Sequence, residues 1–287
     1  MRSIVVATDF STRSDRAIRR GILLAKASNC EIALVHSVDD DQPQHLIDLE
    51  TLEAKRLLEA QTATLRELDG IDASFRVIVG DPFASITDVA DEYASDVLIV
   101  GPHRRLILKD VFVGTTAERI IRTSRVPVIM ANSVPAAPYR HILVAVDMSE
   151  NSAEAVRLAS QMDWGDRPAL SIFHAYDAPE RAMLGAFAQS EPDIQRYLAE
   201  ADARARAELS AFLRQLKVRP VRQIVEMIKT EPATMVRRAA RDADADLIVV
   251  GRQGRSGISK LVLGSVTESV LRNSEIDVLV APIRQNA

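Results

Sequence analysis

The sequence predicts an α/β protein built from two tandem, doubly wound, five-stranded parallel-sheet domains. Three observations predict it. Short runs of Val, Ile and Leu alternate with longer segments of helical periodicity. The runs are almost purely apolar, as strands buried on both faces should be. The same landmarks also occur twice along the 287 residues. Ile4-Val-Val-Ala-Thr-Asp9 reads like Ile142-Leu-Val-Ala-Val-Asp147, and His36 matches His174, both at an offset of 138. Asp81-Pro82 matches Glu231-Pro232, and Ser124-Arg-Val-Pro-Val128 matches Ser274-Glu-Ile-Asp-Val278, at an offset of 150. The jump between offsets gives the second copy twelve extra residues between His174 and Pro232. This is a duplication of whole domains, not a short-period solenoid.

Each element follows from local pattern. In the first copy the strand runs are residues 4–8, 31–36, 74–79, 97–100 and 126–130. Between them, residues 14–27 place Ala17, Ile18, Ile22, Leu23 and Ala25 on one side of a helix, and residues 46–68 form a longer, more charged one. Residues 85–93 and 117–121 complete the set. The second copy repeats the strands at 141–146, 169–174, 222–226, 247–250 and 278–281. Its second helix, near 194–216, is expected to absorb much of the twelve-residue excess, with 182–190 before it as an extra turn or a flap. Pro135-Ala-Ala-Pro138 is a short stiff linker, which sets the domains at 1–134 and 139–287.

Composition narrows the function classes. Two domains of this size each bury a core. Hydrophobic content of 47% and charged content of 26% are ordinary for a soluble protein. A net charge of −4 gives no broad electrostatic case for nucleic acid. One cysteine, Cys30, excludes an intrachain disulfide and reads as a small buried hydrophobe. No run has the length of a membrane span and no signal core is visible, so a cytoplasmic address is expected.

The chemistry concentrates in a glycine pattern. Gly251-Arg-Gln-Gly254 ends an apolar run, and nine residues later Gly264-Ser265 opens a helix. Backbone without side chains, beside a strand end and a helix N-terminus, suits a phosphate chain. In doubly wound sheets that carboxyl edge is where ligands bind. The first copy keeps Gly101, Gly114 and Thr115 but has Arg104 at the second glycine. Ser265-x-x-Glu268 and Thr115-x-x-Glu118 also read as capping boxes, an account that leaves Gly251 and Gly254 unexplained. Asp9 and Asp147, at the ends of the first strands, are either Asx turns or helix caps, or carboxylates for a ligand's amine or hydroxyls. His36 and His174 read as satisfied strand-end histidines, since no second metal-type residue stands at ligand spacing. His103-Arg104-Arg105 is either a solvated loop or a guanidinium set for an anion. No dinucleotide fingerprint, P-loop or nucleophile elbow occurs.

These residues resemble the universal stress protein family. Its nucleotide-binding signature is Gly, two residues, Gly, nine residues, Gly, then Ser or Thr. Gly251, Gly254, Gly264 and Ser265 match it in full, and Val144-Ala-Val-Asp147-x-Ser149 resembles its first strand. The likeness covers nearly the whole chain in two copies. It implies an adenine-nucleotide α-hydrolase-like sheet of order 3-2-1-4-5 and a stress-response regulator that binds ATP, ADP or AMP in its second domain. Asp147 and the backbone around Ala145 would flank adenine and ribose, with Ala175 against the base. Gly251 would approach the ribose. Gly254, Gly264, Ser265 and the Val266 amide would hold the phosphates, and Mg²⁺ would ride on them. The resemblance also implies a degenerate counterpart at Asp9, Gly101, Arg104, Gly114 and Thr115, because a side chain at position 104 intrudes where phosphates pass. At most slow ATP hydrolysis or autophosphorylation comes with the family, so no residue is assigned a catalytic role. A nucleotide-free interaction scaffold of the same fold is the alternative. Asp277 replaces the proline usual before the last strand, which Pro127 keeps. The last strands of the two copies are expected to pair within the chain as a pseudo-dimer, covering two exposed edges at once. A further homodimer and an unknown protein partner stay open.

Overall fold

Strand β1 (Ser3–Ala7) reads SIVVA, and all five residues are buried. With apolar, mostly branched side chains on both faces, such a strand belongs in the middle of a covered sheet. The computed structural model describes residues 1–102, 115–178, 191–254 and 262–283. In it the chain continues through α1 (Ser14–Ser28), β2 (Glu31–Val38), α2 (Gln44–Asp69), β3 (Ala73–Val79), α3 (Pro82–Glu92), β4 (Val97–Val100), α4 (Thr116–Thr123) and β5 (Val128–Met130). The second half repeats this order. It runs β6 (His141–Val146), α5 (Glu150–Gln161), β7 (Ala169–Tyr176), α6 (Glu191–Leu216), β8 (Arg222–Met227), α7 (Pro232–Asp242), β9 (Leu247–Gly251), α8 (Ser265–Asn273) and β10 (Asp277–Ala281).

Each half is a parallel set in the expected order. The halves meet where β5 and β10 run antiparallel, with Val278 opposite Met130, Leu279 opposite Ile129 and Val280 opposite Val128. The result is one ten-stranded sheet, β3-β2-β1-β4-β5-β10-β9-β6-β7-β8. The expected pairing of the last strands is therefore what the chain does. Among the described residues, only β3 and β8 remain as edges. They carry Arg76, and Arg222 with Glu226, charges that discourage further pairing.

Strand alternation sorts the core into two layers. Ile4 and Val6 face one side with Leu24 of α1, Leu58 of α2, Val156 of α5 and Leu209 of α6. Val5 and Ala7 face the other with Val89 of α3, Ile120 of α4, Val236 of α7 and Val270 of α8. Both layers run through both halves, so the sheet is covered continuously across the junction.

The junction also holds a buried ion pair. Asp277 is fully buried, and its Oδ2 accepts from Arg20 Nε at 2.7 Å and from the Tyr139 hydroxyl at 2.8 Å. Its Oδ1 accepts from the Ser133 amide at 2.9 Å and hydroxyl at 2.7 Å. Arg20 also donates to the Ala137 carbonyl at 3.0 Å and lies 4.0 Å from the Tyr139 ring centre. Burial and the Asp277 charge push the Tyr139 hydroxyl pKa well up, so it stays a donor. The linker, the first half's α1 and the second half's last strand are thereby fastened at one point. The duplication makes this legible, because Arg20 and Asp277 correspond to Leu158 and Pro127, so both partners depart from the repeat together.

One expectation is corrected. The long helices α2 and α6 both span 26 residues, so the second copy's excess is not in its helix. Most of it lies between His174 and Glu191, where the segment 182–190 falls outside the described residues.

Candidate functional site

The carboxyl ends of β6 and β9 carry the predicted residues. Asp147 follows β6 directly, and its Oδ1 accepts the Ser149 amide at 3.0 Å, an Asx turn. Ser149, not Asp147, caps α5, its hydroxyl accepting the Ser152 amide at 3.2 Å. Asp9 makes the same turn, accepting the Ser11 amide at 3.0 Å and hydroxyl at 2.5 Å. It also faces Arg13 at 3.6 Å. Partial burial pushes the Asp9 carboxyl pKa up, but hydrogen bonds from Ser11 and Ser14 and the Arg13 charge outweigh it and hold the group below its ordinary range.

The three signature glycines serve different ends. A Cβ on Gly251 would lie 2.8 Å from the carbonyl carbon and oxygen of Asn151, so glycine there lets α5 pack against the strand. Gly101 has the same need, its Cβ position lying 2.9 Å from the Arg13 carbonyl oxygen. A Cβ on Gly254 would meet Asp147 Oδ2 at 2.7 Å. Gly264 has an ordinary extended conformation, φ −65° and ψ 144°, and a Cβ there would touch Gln253 Cα and the Gly254 nitrogen at 3.4 Å, an ordinary contact. The fold itself thus requires glycine at 251 and tolerates a side chain at 264. Gly251 therefore has a packing reason of its own beside the expected approach of a ligand.

Two segments close the loop on itself. The Gly264 amide donates to the Arg252 carbonyl at 3.0 Å, and Gln253 Nε2 donates to the Val262 carbonyl at 2.6 Å. Thr267 Oγ1 donates to the Gly251 carbonyl at 2.8 Å. The capping box expected at Ser265 is not formed. Gly264 holds the N-cap position without a side-chain cap, and Ser265 is the first helical residue. Glu268 pairs instead with Arg272 at 2.8 Å. The reason is a one-residue shift of the helix start, which leaves the first amides of α8 without a cap side chain from Gly264. In the first half Thr115 does cap α4, accepting the Glu118 amide at 3.2 Å.

The apolar wall is built from Ala145, Ala175 and Val266, all half-buried and packed on the core layer under α7 and α8. Asp147, Gly254, Gly264, Ser265 and these three therefore converge at one sheet edge from four segments.

The first half shows the same place as a cavity of about 320 Å³. It is lined by Ala7, Asp9, Ser37, Gly101, Thr115 and Thr116, among others. By the two offsets these are the counterparts of Ala145, Asp147, Ala175, Gly251, Ser265 and Val266. Every described counterpart of a predicted site residue thus lines one concave space of ligand size. Its chemistry differs from the second half's. Ser37, Thr116 and Arg13 stand where the second half has Ala175, Val266 and Asn151. Arg104 and Gly114, with His103 and Arg105, lie outside the described residues.

The histidines are strand-end ties. His36 Nδ1 lies 2.8 Å from the Thr8 carbonyl and His174 Nδ1 2.8 Å from the Val146 carbonyl, so each Nδ1 carries the proton and donates. Among the described residues no cluster of three His, Cys, Asp or Glu is placed to hold a metal ion. Cys30 is buried. No helix among the described residues is long and apolar enough to cross a membrane.

Sequence reasoning missed Arg252. Its backbone sits inside the glycine loop, yet its buried side chain crosses to the first half, where Nη1 donates to the carbonyls of Arg122 at 2.9 Å and Ser124 at 3.0 Å. The available signal was its counterpart Pro102, which has no side-chain donor.

Comparison with known proteins gives this geometry a context. The sequence profile of the Universal stress protein family matches residues 1–132 and again 138–282. A universal stress protein of Mycobacterium tuberculosis is 24% identical over 296 residues, covering 97% of this chain and 96% of its own. Universal stress protein A homolog 1 of Coxiella burnetii is 30% identical over 147 residues, covering 51% of this chain and 99% of its own. Among solved structures, a universal stress protein from Archaeoglobus fulgidus superposes with a TM-score of 0.72 at 20% identity, covering 98% of both chains.

Proposed function

We propose that this chain, which belongs to the universal stress protein family, is an adenine-nucleotide-binding regulator of the stress response that holds ATP, ADP or AMP chiefly in its second half. One observation carries the reading. Asp147, Gly254 and Gly264, from three separate segments, converge so closely that a Cβ on Gly254 would touch Asp147 and one on Gly264 would touch Gly254. Neither Gly254 nor Gly264 has a positive φ that would demand glycine. A group approaching from outside the fold supplies the missing reason for Gly264.

In this reading Ala145 and Ala175 form the apolar bed for the base, and Asp147 accepts from the ribose hydroxyls. The amides of Ser265 and Val266, at the start of α8, face the phosphates where the helix dipole favours an anion, and Gly264 leaves room for their approach. Gly251 acts indirectly, seating α5 against β9. Mg²⁺ would ride on the phosphates, since among the described residues no side-chain cluster fits it. The protein's part is to bind and orient. No residue pair at this edge is assigned to acid–base or nucleophilic work, so turnover is slow if it occurs. The first half is the weaker site, because Arg13 already engages Asp9 and Arg104 replaces a phosphate-side glycine. A cytoplasmic location fits this role.

The scaffold alternative draws support from Gly251, whose packing on Asn151 needs no ligand. Mass spectrometry of small molecules released from the purified protein by heat decides between the two. Adenine nucleotide at near one equivalent is expected. None released, and none retained after incubation with ATP and Mg²⁺, would favour the scaffold.

A further inference from the structure

We infer that Arg252 is a positioning residue that joins the second half's glycine loop to the first half's α4, so that the two carboxyl-edge sites respond to each other through one side chain. The inference rests on the nucleotide reading for the identity of the ligand, while the link itself stands on geometry. Arg252 lies between Gly251 and Gly254, and its carbonyl holds the Gly264 amide at 3.0 Å. Its own amide donates to the Ala281 carbonyl at 3.2 Å. Any ligand that settles on Gly254 and Gly264 therefore bears on the Arg252 backbone.

The side chain then leaves the loop. Nη1 satisfies the carbonyls of Arg122 and Ser124 at the C-terminal end of α4. Helix-end carbonyls lack intrahelical partners, and a cation there also opposes the helix dipole. Arg252 is 9% exposed, and among the described residues its Nε has no hydrogen-bond partner. A charge held that deep by two carbonyls is sensitive to their placement, because moving either leaves more of it unsatisfied. At its other end α4 begins at the capping Thr115, and Thr115 and Thr116 line the first half's cavity. An eight-residue helix spans about 12 Å. One rigid element thus touches the first cavity at its N-terminus and the second loop at its C-terminus. The link is built once, since the counterpart Pro102 has no side-chain donor to form a second, and coupling through it is reciprocal.

Hydrogen exchange on the full-length chain tests it, comparing wild type with Arg252→Met, which keeps an unbranched apolar stem and removes the donors. Without nucleotide, exchange at residues 118–126 and 262–266 should quicken together by about tenfold in the variant, as expected for loss of charge-assisted bonds, while β9 amides stay unchanged. Unchanged exchange at 118–126 overturns the link whatever the ligand. With saturating ATP and Mg²⁺, wild type should gain protection at both segments. Arg252→Met should gain it only at 262–266, and Arg252→Lys, which keeps a donor, should recover part of it at 118–126. Protection at 118–126 that is equal in wild type and Arg252→Met also overturns the proposal. A wild type that takes up no nucleotide counts against the functional reading, and the ligand-free comparison still decides the link.

Discussion

At the residue scale, the signature glycines separate into those the fold needs and those it does not. Gly251→Ala would force a Cβ into the Asn151 backbone at 2.8 Å, where no side-chain tip can yield. It should destabilise the protein by about 1–3 kcal/mol, as overpacking does, seen as a lower midpoint in urea. Gly264→Val should leave the fold intact by circular dichroism and abolish nucleotide binding, because two extra methyls fill the approach to the α8 amides. Unchanged affinity in a folded Gly264→Val would return the glycines to turn and packing duty alone. Asp9 gives a pH test in the first half. Its carboxyl pKa lies below the ordinary value, so the stabilisation its hydrogen bonds bring is present above about pH 4 and is lost as pH falls through the lower folded value. Ser11→Ala removes the hydroxyl bond and keeps the amide bond. It should raise the Asp9 pKa in a carbon-detected NMR titration, and its stability deficit should vanish in acid. The same pKa in variant and wild type would mean that the Ser11 hydroxyl does not set it.

At the element scale, the strands were legible and the helix ends less so. Runs such as Val97–Val100 have one chemically sensible place, and the structure puts all four residues in the buried centre. Helix starts turned on a single residue. Ser265 reads as a cap by its spacing to Glu268, yet the loop hydrogen bond from the Gly264 amide to the Arg252 carbonyl fixes the chain one step earlier. Long-range satisfaction overrode the local motif. The charged partners across halves left only an indirect trace, since Arg20 and Asp277 both depart from their counterparts Leu158 and Pro127. Arg20 reads as one more polar face of α1 until Asp277 arrives 257 residues later. That pair yields a prediction for β10. Asp277→Ala would leave the Arg20 guanidinium buried without its counterion, at a cost of about 3–5 kcal/mol. The double change Arg20→Leu with Asp277→Pro restores the residue types of the other half at Leu158 and Pro127, and should recover much of the loss in thermal denaturation. A double variant no more stable than Asp277→Ala would mean the two halves are not interchangeable at this point.

At the scale of the whole molecule, two similar halves form one sheet with two continuous core layers, and the β5–β10 junction makes them permanent partners. Residues 136 and 137 of the linker are exposed. A protease site placed there should yield two fragments that still elute together near 31.6 kDa under native conditions and part only in denaturant. Fragments that separate in native buffer would show that the junction needs the covalent link. The duplication was readable from offsets alone, and so was the gathering of Asp147, Gly254 and Gly264 at one sheet edge. Part of what sets the halves apart was not, because it depends on Arg13 meeting Asp9 and on Arg252 crossing the junction. The most direct measurement of the central claim is a calorimetric titration of the intact chain with ATP in the presence of Mg²⁺. The account predicts one equivalent bound per chain, lost in Gly264→Val. Two equal sites, or no binding by a folded protein, would contradict it.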